Sequence, residues 1–546
     1  MRARTIIGVA AALALASACS SEDGSSGEGA DDFPGASCNE MTVGEPDLRR
    51  LTAQELQNTL EDMLPEAQAH WQSVRLGPDP VSSDGFSNDT AMLVMSEQTT
   101  KDWLATAEDV ANALTQTDVL PTVLPCATTT ADAICAASFI DKYGYRLFHR
   151  TLTDSETARY GALHASVSTQ SDFATGIKWV LVSLIQSPHA VYRSEIGVWQ
   201  GDRFVLQPHE IATALAYTYT GTAPNEVLLS RAENGELDGA EQRSALARKL
   251  LDTSRGRQTV HRFVDEWLDY SRVGGGSKEG VSEFAAASEP MVLETEAFLD
   301  EVLYQQEGGV DDLLTAPYTM LNDTLSEYYG YGQVTGSEFA RVARPDDWGV
   351  GLLAQGSVLS SHAHTDSSSP TLRGIMVYER WLCQTMPAPP ADIPPIDPPA
   401  PGEVTTRQRY EQQHLQSAAC KSCHQYTDPT GFAFEHFDAA GRFRADENGL
   451  PVDSAGSVPL ASGRQEIEGQ IELAAALAAS EQTHACVSSL VANYAFGGNH
   501  GGVQDGVCAI SGPQRRLVDG EIGLLQYWAE LASTPHFTER QISAQR

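Results

Sequence analysis

The stretch Leu51–Leu64, LTAQELQNTLEDML, decides how the first folded part of the chain is read. Thr52 stands three residues before Glu55, the spacing of a capping box, and Leu51 is placed to pack onto Leu56 as a hydrophobic staple. The same grammar returns in LTDSETARYGALH, where Thr153 and Glu156 repeat the box. It returns again in LQPHEIATALAYTYTG, with Pro208 at the first helical position and Gly221 as the stop. FATGIKWVLVSLIQSPHAVY, EQRSALARKLLDT, GRQTVHRFVDEWLDY and the span Met291 to Tyr304 all carry apolar residues at intervals of three and four. Strand-like alternation is scarce. Residues 45–345 are therefore predicted to be mostly α-helical, in two or three packed units.

Further on, the composition changes. Residues 387–401, PAPPADIPPIDPPAP, hold eight prolines and predict an extended connector between two folded parts. After it, TTRQRYEQQHLQSAACKSCH reads as a helix, DPTG (Asp428 to Gly431) as a turn, and Asn448-Gly449 as the turn of a short hairpin. Two closing helices are expected over about 466–480 and 485–496, and a last one around 520–532.

The ends and the charge bound the setting. Arg2 and Arg4 precede an apolar run from Ile6 to Leu15, then Ala16, Ser17, Ala18 and Cys19. This is a secretory signal with a lipoprotein-type cleavage site, too short to span a bilayer as a mature helix. The expectation is lipid attachment at Cys19, followed by a flexible tether, SEDGSSGEGADDFPGAS. No Asp follows Cys19, which resembles lipoproteins sent on to the outer membrane. The 546 residues carry 73 acidic and 36 basic side chains, a formal charge of −37. Such a field repels phosphate backbones, so nucleic acid is excluded as a partner class and membrane contact is expected through the lipid alone.

Nine cysteines are present, and removing Cys19, Cys420 and Cys423 leaves an even set for an oxidising compartment. Cys126 and Cys135 are the first expected bridge. Spacing does not assign Cys38, Cys383, Cys486 and Cys508.

One run bears chemistry. In AACKSCHQYTDPTG, residues 418–431, Cys420, Cys423 and His424 form Cys-x-x-Cys-His. Two thiols at this separation meet the two vinyl groups of a haem, and the following histidine reaches the iron from the proximal side. Two rivals remain open, a Cys420–Cys423 disulfide and a metal site. The first lacks the usual strand-to-helix context, and the second lacks further ligands downstream. No methionine follows the run, so the second axial position falls to His362, His364, His436, His484 or His500, or stays open. Other constellations fail. GGGSKEG (274–280) is not between strand and helix, GSVLS lacks the nucleophile-elbow spacing, and Asp446, Asn448 and Asp453 lack the glycine and glutamate of a calcium loop.

Several long stretches together resemble one family, the secreted cytochrome-like multidomain proteins of unknown function found in planctomycetes and myxobacteria. RRLTAQELQNTLEDML resembles its opening domain, and FIDKYGYRLFHRTLTDSETARYGALH the second. The span from SLIQSPHAVYRSEIG to LLTAPYTMLNDTLSEYYG resembles the large central domain. GLLAQGSVLSSHAHTDSSSPTLRGIMVYERWLC with CKSCHQYTDPTGFAFEHFDAAGRFR resembles the fourth. The resemblance implies haem c on Cys420 and Cys423 with His424 as proximal ligand, and a supporting loop of Asp428, Pro429, Gly431, Phe437, Asp438, Gly441 and Arg444. It makes His364, in AHTDSSSP, the favoured distal or supporting histidine. Relatives often carry a methionine where this chain has Thr427, which weakens a His/Met pair.

The resulting expectation is a mainly α, multidomain helical body with a small haem c-like α domain containing a short β-hairpin near the C-terminus. Its parts are a signal peptide (1–18), lipidated Cys19 with an acidic tether (19–44), helical domains at 45–125, 126–200 and 201–345, and a connector (346–386). A proline-rich linker (387–402), the Cys-x-x-Cys-His domain (403–458) and a C-terminal helical domain (459–546) complete it. The functional expectation is electron transfer or haem-assisted oxidation at the cell envelope, with a redox partner protein. The alternative is a non-catalytic envelope scaffold or a polysaccharide- or partner-binding lipoprotein with Cys420–Cys423 as a disulfide.

Overall fold

Residues 48–332, 334–386, 404–414, 418–498 and 505–540 are described in a computed structural model. The expected signal segment, Cys19, Cys38, the tether, the proline run and His500 lie outside these residues, as does the side chain of Cys508.

Local signals set the helix starts. The Thr52 side chain accepts from the Glu55 amide at 3.0 Å while the Glu55 carboxylate accepts from the Thr52 amide at 2.8 Å, and the helix Ala53–Met63 begins there. Leu51 and Leu56 are both buried beside it. Thr153 and Glu156 cap Asp154–Gln170 in the same reciprocal way. Pro208 opens Pro208–Thr220, and Gly221 closes it at φ 58°, a left-handed cap that glycine adopts without strain. Among the described residues there are 23 α-helical segments, and no strand exceeds six residues, so the fold is mainly α.

The strands act as clasps between distant segments. Arg49–Arg50 pairs antiparallel with Tyr192–Arg193. The C-terminal Glu539–Arg540 adds to the hairpin formed by Val198–Trp199 and Phe204–Val205. The helices bury two main cores. The first, around Leu60, Trp103, Phe139, Ile177 and Leu181, belongs to the N-terminal part. The second runs without a break from Leu215 and Phe263 through Trp267 and Trp381 to Phe434, Val487 and Trp528. Trp267 and Trp381 meet at 4.5 Å between ring centroids, deep in this core. The expected central, connector, motif and C-terminal segments thus share one apolar interior.

Two turn and bridge expectations hold. Asn448 and Gly449 take φ 56° and 77° between the paired strands Asp446–Glu447 and Leu450–Pro451. Cys126 and Cys135 form a disulfide, and Cys383 pairs with Cys486 across 5.4 Å between Cα atoms.

Two local readings are corrected. The expected helix over 466–480 begins later. Gly463–Glu468 is a strand paired with Ala455–Leu460, and the helix is Gly469–Ala478. Val458 and Ile467 bury the inner face of this hairpin, a pairing that no local period announces. DPTG is not a turn but the end of the helix Ala418–Phe432, with Pro429 inside it. A proline there removes its own amide as a donor to the carbonyl four residues back. That carbonyl, of Gln425, accepts instead from the Arg464 guanidinium at 3.1 Å.

Candidate functional site

The helix Ala418–Phe432 carries Cys420, Cys423, His424 and Asp428 at spacings of three, four and eight, which places them along one face. A second helix, Pro370–Met376, is capped by the Ser369 hydroxyl and crosses it at van der Waals range. Gly374 and Gly431 make the crossing. A Cβ on Gly374 would lie 1.9 Å from the Thr427 carbonyl oxygen, and one on Gly431 would lie 1.8 Å from that of Pro370. Only hydrogen fits at either position. The close approach delivers Thr371 to Asp428. Arg373, wholly buried on the same short helix, donates to the carbonyls of Leu359, Phe434, Phe437 and Asp438 and so locks the loop that follows the motif helix.

At the centre sits Asp428, with no exposed surface. Its Oδ2 accepts from His414 Nδ1 at 2.6 Å. Its Oδ1 accepts from Thr371 Oγ1 at 2.6 Å and from His424 Nδ1 at 3.1 Å. Burial works to raise the carboxyl pKa, but the hydrogen bonds from His414, His424 and Thr371 outweigh it and hold the group below the ordinary aspartate value. An ionised carboxylate only accepts, so both imidazoles present Nδ1–H to it, and in the neutral ring the lone pair is then on Nε2. The two rings lie 3.8 Å apart between centroids, tilted by 34°. His414 is buried against the edge of Tyr410, and His424 is half-buried.

Cys420 and Cys423 are unpaired and half-buried, whereas Cys126, Cys135, Cys383 and Cys486 are all bridged. The other expected histidines lie apart from this cluster. His364 is exposed, with its amide bound to the Ser367 carbonyl and its own carbonyl accepting from Lys278 Nζ at 2.9 Å. The His362 ring donates to the Val358 carbonyl, and burial pushes its pKa down to about 4. His436 binds the Arg444 carbonyl and stacks on Phe443. His484 lies 2.8 Å from Asp311.

Sequence reasoning missed His414. The signal was present in Thr406, Tyr410 and His414, spaced by four along the helix Thr406–His414, all three on its buried face. A histidine on a buried face needs a polar partner, and the partner is fourteen residues on, at Asp428. Of the supporting loop implied by resemblance, Asp438 Oδ1 accepts from the amides of Ala440 and Arg442, and Arg444 pairs with Glu435 at 3.0 Å.

Comparison with known families finds four matches, all described as proteins of unknown function. Residues 49–116 match PSD3 (DUF1587), 135–195 match PSD5 (DUF1595), 206–331 match PSD4 (DUF1592) and 350–447 match PSCyt3 (DUF1588). No curated protein and no solved structure matches the chain.

Proposed function

This chain belongs to the cytochrome-like multidomain family of unknown function that carries these four domains in this order, and from that premise we propose that it is an exported electron-transfer or haem-assisted oxidation protein. Cys420 and Cys423 hold one haem c covalently on this reading, and His424 is its proximal ligand. One observation carries it. The chain leaves this cysteine pair open while bridging Cys126–Cys135 and Cys383–Cys486, and it anchors the adjacent His424 through Nδ1 on a buried carboxylate, leaving Nε2 for the iron.

The residues fit the group. Two thiols on one helix face are available for thioether attachment, and among the described residues nothing hydrogen-bonds to His424 Nε2. Bound haem supplies one-electron chemistry at its iron. The chain's own groups do the rest. Asp428 holds the proton at His424 Nδ1, Thr371 and His414 donate to its carboxylate, and the Gly374–Gly431 crossing holds Thr371 beside Asp428. His414 lies 3.8 Å from His424 between ring centroids and would sit on the same side of a bound group as His424. The lipid anchor at Cys19, the outer membrane location and a redox partner protein belong to the same proposal. Among the described residues no helix is long and apolar enough to cross a membrane.

The test is a pyridine haemochrome spectrum, with intact mass, on protein made in a host with an active cytochrome c maturation system. A c-type spectrum that is lost in Cys423→Ser supports the reading. A colourless protein with the mass of the bare polypeptide overturns it.

A second reading rests on a different observation. One ligand atom each from His414, His424 and Asp428 lie within 4.8 Å of one another. Such a set suits a divalent transition metal once the shared protons leave. Cobalt titration of a Cys420→Ser/Cys423→Ser chain distinguishes it, since a d–d spectrum at stoichiometric cobalt requires the His/Asp set alone.

A further inference from the structure

We propose that Asp428 is a divided anchor, and that the way its charge is shared among His414, Thr371 and His424 sets the donor strength of His424 Nε2. The inference rests on the haem reading for its consequence, but not for its geometry. A carboxylate that accepts from the far nitrogen of a ligating histidine makes that ring a stronger donor, and this is a principal lever on the potential of a bound iron. Here the lever is shared. Oδ2 is taken by His414 at 2.6 Å, and on Oδ1 His424 competes with the Thr371 hydroxyl, the hydroxyl at 2.6 Å and the imidazole at 3.1 Å. The Thr427 hydroxyl adds a longer contact to Oδ1 at 3.3 Å, and His424 has the longer of the two imidazole bonds to a carboxylate with no access to water.

Division has a directional consequence. Removing Asp428 weakens His424 as a donor and raises the iron potential. Removing either competitor leaves more of the carboxylate charge to His424 and lowers it. A carboxylate that merely held the helices together would not produce opposite signs.

The experiment uses the full chain in two forms. In the haem-free Cys420→Ser/Cys423→Ser protein, nitrogen-15 spectra of the imidazoles are expected to show His414 and His424 both as Nδ1–H tautomers. In the haem-loaded protein, spectroelectrochemical midpoints are expected in the order Thr371→Val and His414→Phe below wild type, and Asp428→Asn above it. Thr371→Val is nearly isosteric and keeps the test alive should Asp428→Asn fail to fold. An Nε2–H tautomer in either ring overturns the proposal. So does a Thr371→Val midpoint that is unchanged or raised. Absence of haem from wild-type protein overturns the proposed function instead, and the ring tautomers then still decide whether Asp428 anchors both histidines.

Discussion

Glu195 and Asp428 are both buried carboxylates, and they are satisfied by opposite kinds of partner. Glu195 meets Arg193 at 2.6 Å and Arg540 at 3.0 Å, with Arg49 at 4.0 Å. These arginines come from the first clasp strand, its partner and the C-terminal strand, so one side chain ties together residues far apart in the chain. Asp428 meets two imidazoles and the hydroxyls of Thr371 and Thr427. A guanidinium is permanently charged and spends its donors on the carboxylate. An imidazole held by one nitrogen still offers the other. The first site is therefore suited to hold the fold and the second to hold a ligand.

The largest effect expected from this contrast is at Glu195. Glu195→Gln leaves Arg49, Arg193 and Arg540 with Glu55, 3.8 Å from Arg193, as the remaining nearby carboxylate, and removing one member of a buried ionic cluster typically costs about 3–5 kcal/mol. Chemical denaturation reads it. A loss below about 1 kcal/mol would break the comparison, because it would put Glu195 on a par with a surface ion pair.

Acid sharpens the same point. Burial alone would raise the Glu195 pKa, but Arg193, Arg49 and Arg540 bring it down to about 2, below the ordinary 4.5. A depressed carboxyl stabilises the fold fully above the unfolded value and loses that contribution as pH falls toward the folded one. Wild type should therefore lose its stability advantage over Glu195→Gln between about pH 5 and pH 2, and keep it at neutral pH. A gap that stayed constant through this window would contradict the assignment.

A smaller loss is expected at Asp428. Asp428→Asn leaves hydrogen-bonding groups imperfectly matched rather than charges unpaired, which costs about 1–3 kcal/mol. Its distinguishing mark is spectroscopic: on the haem reading it is expected to shift the midpoint, whereas Glu195→Gln is expected to leave it unchanged. The smallest effect is at a helix cap whose box partner, Glu55, lies 3.8 Å from Arg193 of the Glu195 cluster. Thr52→Ala removes a helix cap and costs about 1 kcal/mol, read by the same denaturation, with no change expected at the Asp428 cluster.

The difference between the two carboxylates is also a difference in legibility. Features that depend on neighbours in sequence could be read directly. Thr52 with Glu55, Thr153 with Glu156, Pro208 with Gly221, Asn448 with Gly449, and the Cys126–Cys135 bridge each lie within one helix, turn or loop, and each is found where expected. Features that depend on remote partners were hidden. DPTG carries every local mark of a turn, yet it stays helical because Arg464 relieves the carbonyl that Pro429 frees. Glu466 to Glu468 join a strand because Ser457 to Ala455 lie opposite them.

The chain composition and its short-range patterns settled a mainly helical body and the places where many helices begin and stop, and they picked out the Cys-x-x-Cys-His run as the candidate site. They did so because caps, turns and helical periods are decided by contacts within one or two turns of backbone. The pairing of Cys383 with Cys486, the three arginines around Glu195, and above all the recruitment of His414 and Thr371 to Asp428 came from packing. A buried carboxylate takes whatever donors the folded backbone brings within about 3 Å, and here the crossing at Gly374 and Gly431 brings Thr371 while the helix Thr406–His414 brings His414.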